Sequence, residues 1–309
     1  MAYRIPLPEG GRSASLDIIE PSTTAVQRFI RREGLGAYEP PTAAAMLTLC
    51  EASDPGFVVY DVGANMGLYG ALAASMFAPA AVHSFEPAPA SAQIAARIGR
   101  RNGLAMTVHQ MAVSDQVGTA ALHLSPVSDA SNSLVEGFRV TDDRIDVDTV
   151  TIDAMVERSG DHPDIIKIDV ETHERAVLDG ARVTIERDRP ALIVEVLRRR
   201  GHDHGDEISE FFAGRGYRCF ELSAEPDWQA HDRVRGSGTT DRDWLLLPGE
   251  LPADLPERWT TWIDRLSVCT ADRNPRVPVT ARVGSAYRRG GLREVVATVD
   301  RHRRSHRRG

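Results

Sequence analysis

Apolar residues recur in two alternating patterns through the middle of the chain. Continuous apolar runs stand at 57–63 (FVVYDVG), 80–87 (AAVHSFEP), 105–115 (AMTVHQMAVSD), 164–171 (DIIKIDVE) and 190–196 (PALIVEV). Such runs suit strands covered on both faces. Helical spacing separates them at 67–77, which is rich in small residues, at 90–103, which stops at Gly103, and at 175–187. Residues 145–156 read as a strand and then a helix capped by Asp153. Residues 206–222 read as helix, glycine turn and strand, and 241–248 as a last strand. The stretch 118–126 alternates and is expected as an antiparallel piece beside the third strand, while 128–137 has loop chemistry. This βαβα order predicts an α/β fold with a doubly wound, mainly parallel sheet.

The flanks carry weaker patterns. In 1–56 a short strand is expected at 13–19, a helix at 23–34 ending on Gly34, and an Ala-rich helix from the Pro40–Pro41 pair. We read 1–56 as a lead-in, 57–249 as the main domain and 250–309 as an appended segment. That segment holds a short helix near 251–266 and a last helix near 292–304.

Composition narrows the class. The chain has 309 residues, 42% of them hydrophobic, enough for one full α/β core with extensions. A net charge of −7 argues against nucleic acid as partner, although the last nine residues, RHRRSHRRG, read as a solvated basic tail. The three cysteines are far apart and show no metal-ligand spacing, which fits a reducing cytoplasm. No signal peptide and no membrane span are expected. The expected partner is a small-molecule acceptor, with a homodimer as one option for assembly.

The chemistry is expected at the strand ends, because open α/β sheets bind ligands beyond them. The sequence DVGANMG, with Asp61, Gly63, Asn65 and Gly67, follows the first strand and opens a small-residue helix. Its glycine spacing lacks the G-x-G of a pyrophosphate-binding turn. A carboxylate at Asp61 suits the ammonium group of S-adenosylmethionine and would repel a pyrophosphate. Glu86 closes the second strand, where an acid accepts hydrogen bonds from ribose hydroxyls in either ligand class. A nicotinamide-dependent oxidoreductase and a non-catalytic binding module therefore stand as alternatives to a methyltransferase.

Taken in order, VVYDVGANMGLYG, VHSFEPAP, MAVSDQVGTAALH, DIIKIDVETHERAVLDGA and PALIVEV resemble the FkbM-type family of S-adenosylmethionine-dependent methyltransferases over about 57–196. The resemblance implies a class I, Rossmann-like fold with a seven-stranded sheet whose last strand is antiparallel. It implies O-methylation of a small-molecule hydroxyl, on a sugar or another secondary-metabolite moiety. By position it implies a cofactor turn at Asp61, Gly63, Ala64, Asn65 and Gly67, ribose contacts at Glu86 and Pro87, and an adenine edge at Ala112, Ser114 and Asp115. Asp169 and Glu171 fall at the reaction end. The family reads K-I-D-V-E-G-x-E, and this chain has Thr172 in place of the glycine, followed by His173.

Proton removal from a hydroxyl needs an imidazole or a carboxylate, so His173, Asp169, Glu171 and Glu195 are the catalytic candidates. Asp169, Glu171 and Glu195 are also oxygen ligands suited to Mg²⁺, an optional second cofactor. Lys167 is the one lysine among 37 basic residues. Strand alternation predicts that it shares a face with Asp169 and Glu171 and pairs with an acid. The HDHGD stretch at 202–206 offers further metal-type ligands in an expected loop.

Overall fold

A computed structural model describes residues 2–19, 23–125, 132–135, 143–199, 201–238 and 242–271. The lead-in comprises β1 (Ala2–Pro6), β2 (Ser15–Ile19), α1 (Ala25–Glu33), a single 3₁₀ turn (Leu35–Ala37) and α2 (Pro40–Ala52). The alternating part follows: β3 (Val58–Val62), α3 (Leu68–Met76), β4 (Ala81–Phe85), α4 (Pro89–Asn102), β5 (Met106–His109), β6 (Ala112–Val113), β7 (Gly118–His123), β8 (Arg144–Val150), α5 (Ile152–Ser159) and β9 (Ile165–Ile168). Then come α6 (Glu174–Asp179), α7 (Arg182–Asp188), β10 (Ala191–Glu195), β11 (Arg198–Arg199), β12 (His202–Asp203), α8 (Gly205–Phe212), β13 (Tyr217–Leu222), β14 (Asp243–Pro248) and α9 (Leu255–Ser267).

The central sheet has seven strands in the order β13-β14-β10-β9-β3-β4-β5. Neighbours from β10 to β5 pair in parallel, and β14 runs antiparallel to both β10 and β13. The doubly wound sheet of the sequence reading is thus present, with β14 as its one reversed strand. The chain turns outward in both directions from the β3–β9 pair, so the crevice for a ligand opens beyond the ends of those two strands.

Pleat alternation divides the core. Val59, Ile165, Ile193 and Leu245 face one layer, with residues of α2, α3 and α9; Tyr60, Ile166, Leu192 and Leu246 face the other, with residues of α5 to α8. α2 is buried almost all round, which suits a helix held between a sheet and a second helix. That second helix is α9: Trp259 Nε1 donates to Pro41 O at 3.1 Å and Trp262 Nε1 to Glu51 Oε2 at 3.2 Å. The lead-in and residues 250–271 are therefore packed on each other, and a boundary at 249 cuts through that packing. The expected helix at 292–304 and the basic tail lie outside the described residues.

Four local expectations are corrected. Residues 105–115 are two strands, because β6 leaves the main sheet and pairs with β8. β7 likewise pairs with β8 and not with β5, forming a separate sheet in the order β6-β8-β7. Residues 175–187 are split into α6 and α7 at Gly180–Ala181. The cap of α5 is Thr151, whose Oγ1 accepts from Ala154 N at 3.0 Å; Asp153 instead accepts from Val183 N and Thr184 N at the start of α7. Among the described residues no helix is long and apolar enough to cross a membrane.

Candidate active site

The turn after β3 is shaped by glycine at two places. Gly63 has φ +79°, and a Cβ there would stand 1.8 Å from Asp169 O. Gly67 has φ +75°, and a Cβ there would meet Ala95 Cβ at 2.9 Å. L-residues rarely tolerate that backbone, and neither position has room for a side chain. Asn65 adopts the left-handed region too, at φ 49°. Glu86, at the end of β4, accepts from Asn65 N through Oε2 and from Ala88 N through Oε1, each at 2.8 Å. One acid thus ties the glycine turn to the loop entering α4.

Beyond these strand ends lies a cavity of about 110 Å³. Of the sequence candidates, Gly63, Asn65, Glu86, Pro87, Ala112, Asp169, Glu171, His173 and Glu195 line it. Others stand off the wall. Asp61 is fully buried, and its Oδ2 accepts from Gly70 N at 3.0 Å in the first turn of α3. The free N–H groups of that helix end draw the carboxylate toward α3. Ala64 is buried with its N–H on Phe85 O, and Gly67 caps α3. Ser114 sits behind the wall, and Asp115 is exposed.

Lys167 is paired as its strand position implies. Its Nζ lies 2.9 Å from Asp169 Oδ2 and 4.6 Å from the centroid of the Tyr69 ring. Burial alone would pull this ammonium down, but Asp169, Asp61, Glu39 and Asp243 outweigh it and hold the pKa above the ordinary lysine value. The expected shared face ends there. β9 stops at Ile168, and Glu171 and Thr172 take left-handed backbone with φ 53° and 78°. Glu174 stabilises this sharp exit by accepting from Val170 N and Thr172 N, and burial lifts its pKa to about 8.

Several wall residues were not found from the sequence. Val26, Tyr38 and Glu39 come from the lead-in, and Arg242 from just before β14. Glu39 has φ 42° immediately before Pro40, a costly backbone for such a residue. Tyr69 OH donates to its Oε2 at 2.8 Å. Burial, then repulsion by Asp243 and Asp169, pushes its pKa up to about 7. Glu195 Oε1 pairs with Arg242 Nη1 at 3.2 Å, and burial raises the Glu195 pKa. Thr42 Oγ1 donates to Asp243 Oδ2 at 2.7 Å, so α2 is tied to β14 under the cavity.

The expected Mg²⁺ set does not fit this arrangement. Asp169 is neutralised by Lys167 and Glu195 by Arg242, so two of its three carboxylates already hold a cation. A resident divalent ion would be set against both side-chain charges.

His173 precedes α6, and its Nε2 lies 2.9 Å from Ser114 Oγ. The Ser114 hydroxyl has one proton, and it donates to Asp115 Oδ1 at 3.0 Å. The imidazole must then donate at Nε2, which leaves Nδ1 as its basic nitrogen. Burial lowers the His173 pKa, with Asp115 opposing, so the ring is neutral near pH 7.

A seven-stranded sheet with one reversed strand, and a glycine turn opening on a switch-point cavity, define the class I methyltransferase arrangement. The profile of the methyltransferase FkbM domain matches residues 61–219, about half of the chain. The chain belongs to the FkbM methyltransferase family. It is 29% identical to 31-O-demethyl-FK506 methyltransferase FkbM of Streptomyces tacrolimicus, over 56% of this chain and 76% of that one. Among solved structures it is similar to methyltransferase FkbM of Methylobacillus flagellatus KT, with 20% identity and a TM-score of 0.39. That likeness covers 62% of this chain and 43% of the other. A SAM-dependent methyltransferase of Agrobacterium tumefaciens gives 10% identity and a TM-score of 0.42 over 81% and 70%. At such scores family membership rests on the sequence match.

Proposed function

We propose that this protein transfers a methyl group from S-adenosylmethionine to a hydroxyl oxygen of a small neutral acceptor. The observation that carries this reading is the charge of the cavity wall. Glu39, Glu86, Asp169, Glu171 and Glu195 line it, against Arg242 and the Lys167 that pairs with Asp169, so acids stay in excess. S-adenosylmethionine is a net cation, with an ammonium, a sulfonium and one carboxylate, and it suits such a wall. A nicotinamide dinucleotide, with its pyrophosphate, does not. The same repulsion favours a neutral acceptor over a carboxylate or phosphate. The name of the Streptomyces relative refers to a 31-O-demethyl compound, which supports oxygen as the atom methylated.

When bound, S-adenosylmethionine supplies an electrophilic methyl group. The chain's own part is to hold, align and take a proton. Asp61 faces α3 and Asp169 is paired with Lys167, so Glu39 is the acid we assign to the ammonium. Glu86, on the cavity wall at the end of β4, is the acid we assign to the ribose hydroxyls. Ala112, Val113 and Phe85 form an apolar edge suited to adenine. His173 Nδ1 takes the acceptor proton. The three cysteines, all buried and free, are in keeping with a reducing compartment such as the cytoplasm.

Calorimetry with S-adenosylhomocysteine, S-adenosylmethionine and NAD tests the cofactor. Binding of the first two and not of NAD is expected. Formation of S-adenosylhomocysteine against a panel of hydroxylated and amine acceptors tests the reaction. Binding of NAD alone, or turnover confined to amines, overturns this reading.

A further inference from the structure

The HDHGD stretch is not absorbed by the cavity, and none of its residues lines it. β11 and β12 form a hairpin just after β10, and α8 starts two residues past β12. His202 and His204 flank Asp203, which is fixed from several sides. Asp203 accepts from Gly205 N at 3.0 Å and Gly236 N at 2.6 Å, and it pairs with Arg198. The two imidazoles are thereby brought together, with ring centroids 4.5 Å apart. Glu207, in the first turn of α8, completes the group. His202 Nε2 lies 2.7 Å from its Oε1 and His204 Nδ1 3.9 Å from its Oε2. All three ligand atoms fall within 4.8 Å of one another.

We propose that His202, His204 and Glu207 bind one zinc-class divalent cation, with water as the fourth ligand, which staples the β11–β12 hairpin to α8. A tetrahedral ion with bonds of about 2.0–2.1 Å needs its ligand atoms about 3.4 Å apart. The observed separations bracket that value, so small side-chain rotations suffice, and the ion takes the place of the hydrogen bond between His202 and Glu207. His204 is the most buried of the three, with 18% of its side chain exposed. Two nitrogens and one oxygen form a borderline donor set that selects Zn²⁺, Co²⁺ or Ni²⁺ over Mg²⁺ and Ca²⁺.

The test uses the full chain and is independent of the methyltransferase reading. Zn²⁺ is titrated calorimetrically, Co²⁺ is followed by its visible absorption, and Mg²⁺ serves as control. One ion per chain is expected, with micromolar affinity, tetrahedral Co²⁺ absorption and no Mg²⁺ binding. His204→Ala and Glu207→Gln should each weaken Zn²⁺ by at least about tenfold while the metal-free melting temperature stays unchanged. The tail histidines are a rival source of ligands, so His302→Ala with His306→Ala is the control and should keep full affinity. The proposal is overturned if Zn²⁺ does not bind saturably, if it binds equally well without His204, or if the tail variant abolishes binding.

Discussion

Replacing Lys167 with methionine tests the electrostatics of the site before any substrate is known. Methionine keeps much of the length and volume and deletes the charge. In the folded chain the ammonium is 2% exposed, 2.9 Å from Asp169 Oδ2, and it also holds Asp61, Glu39 and Asp243 electrostatically. Breaking a buried pair by removing one partner costs about 3–5 kcal/mol, because the remaining charge is left uncompensated. At about 2–4 °C per kcal/mol for a domain of this size, the melting temperature should fall by about 10 °C. The pH dependence identifies the cause. Burial raises the folded-state pKa of Asp61, Glu39 and Asp243 above their unfolded values. Between the unfolded and folded values the folded state binds more protons, so stability falls as pH rises through that window. Without the lysine these pKa values climb further and the window widens. The variant should therefore lose more at about pH 8, where the acids ionise, than at about pH 5, where some are protonated. The lysine's own titration lies above both pH values. Thermal melts of both proteins at the two pH values decide the matter. A shift below about 2 °C at pH 8, or an equal shift at both, refutes the argument. Lys167→Arg keeps the charge without the slim head and should recover only part of the loss.

Four further outcomes follow from the same geometry. Glu39→Gln should weaken S-adenosylhomocysteine about tenfold, the scale of one charged hydrogen bond. Only the ionised acid attracts the ammonium, so wild-type affinity should climb with pH up to about 7 and the variant's should stay flat in calorimetry across that range. His173→Ala should lower turnover about 10²-fold or more while S-adenosylhomocysteine affinity holds, and an unchanged rate removes His173 as base. Gly63→Ala should melt lower and lose S-adenosylhomocysteine, since its Cβ would overlap Asp169 O; wild-type binding by this variant contradicts the reading of the turn. Trp259→Ala should cost about 3–5 kcal/mol in denaturant unfolding and also weaken S-adenosylhomocysteine, because α9 backs α2; loss of stability with affinity intact would uncouple the two.

What the sequence made legible was set by pattern, and what it hid was set by partners far along the chain. The apolar runs of β3, β4, β9 and β10 announce buried parallel strands whatever surrounds them. The run at 105–115 is equally apolar, yet a pattern does not record which sheet a residue joins, and Ala112–Val113 pairs with β8. Thr151 and Asp153 are both good caps, and only packing assigns Asp153 to α7. Asp61 was visible as an acid at a strand end, but its direction depends on where α3 begins. Glu39 carries no signal in its own neighbourhood. Its place is fixed by Tyr69 of α3 and by the Thr42–Asp243 bond, whose partners are 201 residues apart.

That distance has a mechanical meaning for the site. The glycine turn, Glu86 and Asp169 are carried by strands of the central sheet, whose geometry is fixed by ladders on both sides. The opposite wall, with Tyr38 and Glu39, hangs from the start of α2, and α2 touches the sheet through apolar contacts and the Thr42–Asp243 bond. Its outer side is held by α9, and Gly36 N donates to Cys269 O at 3.1 Å, so the residues after β14 close over the lead-in. A cofactor lying between the two walls would touch a rigid half and a half held by residues before β3 and after β14. Burial first, and then repulsion among these carboxylates, raises the pKa values of Glu39, Glu195 and Asp243. A cation bound between the walls would relieve this repulsion.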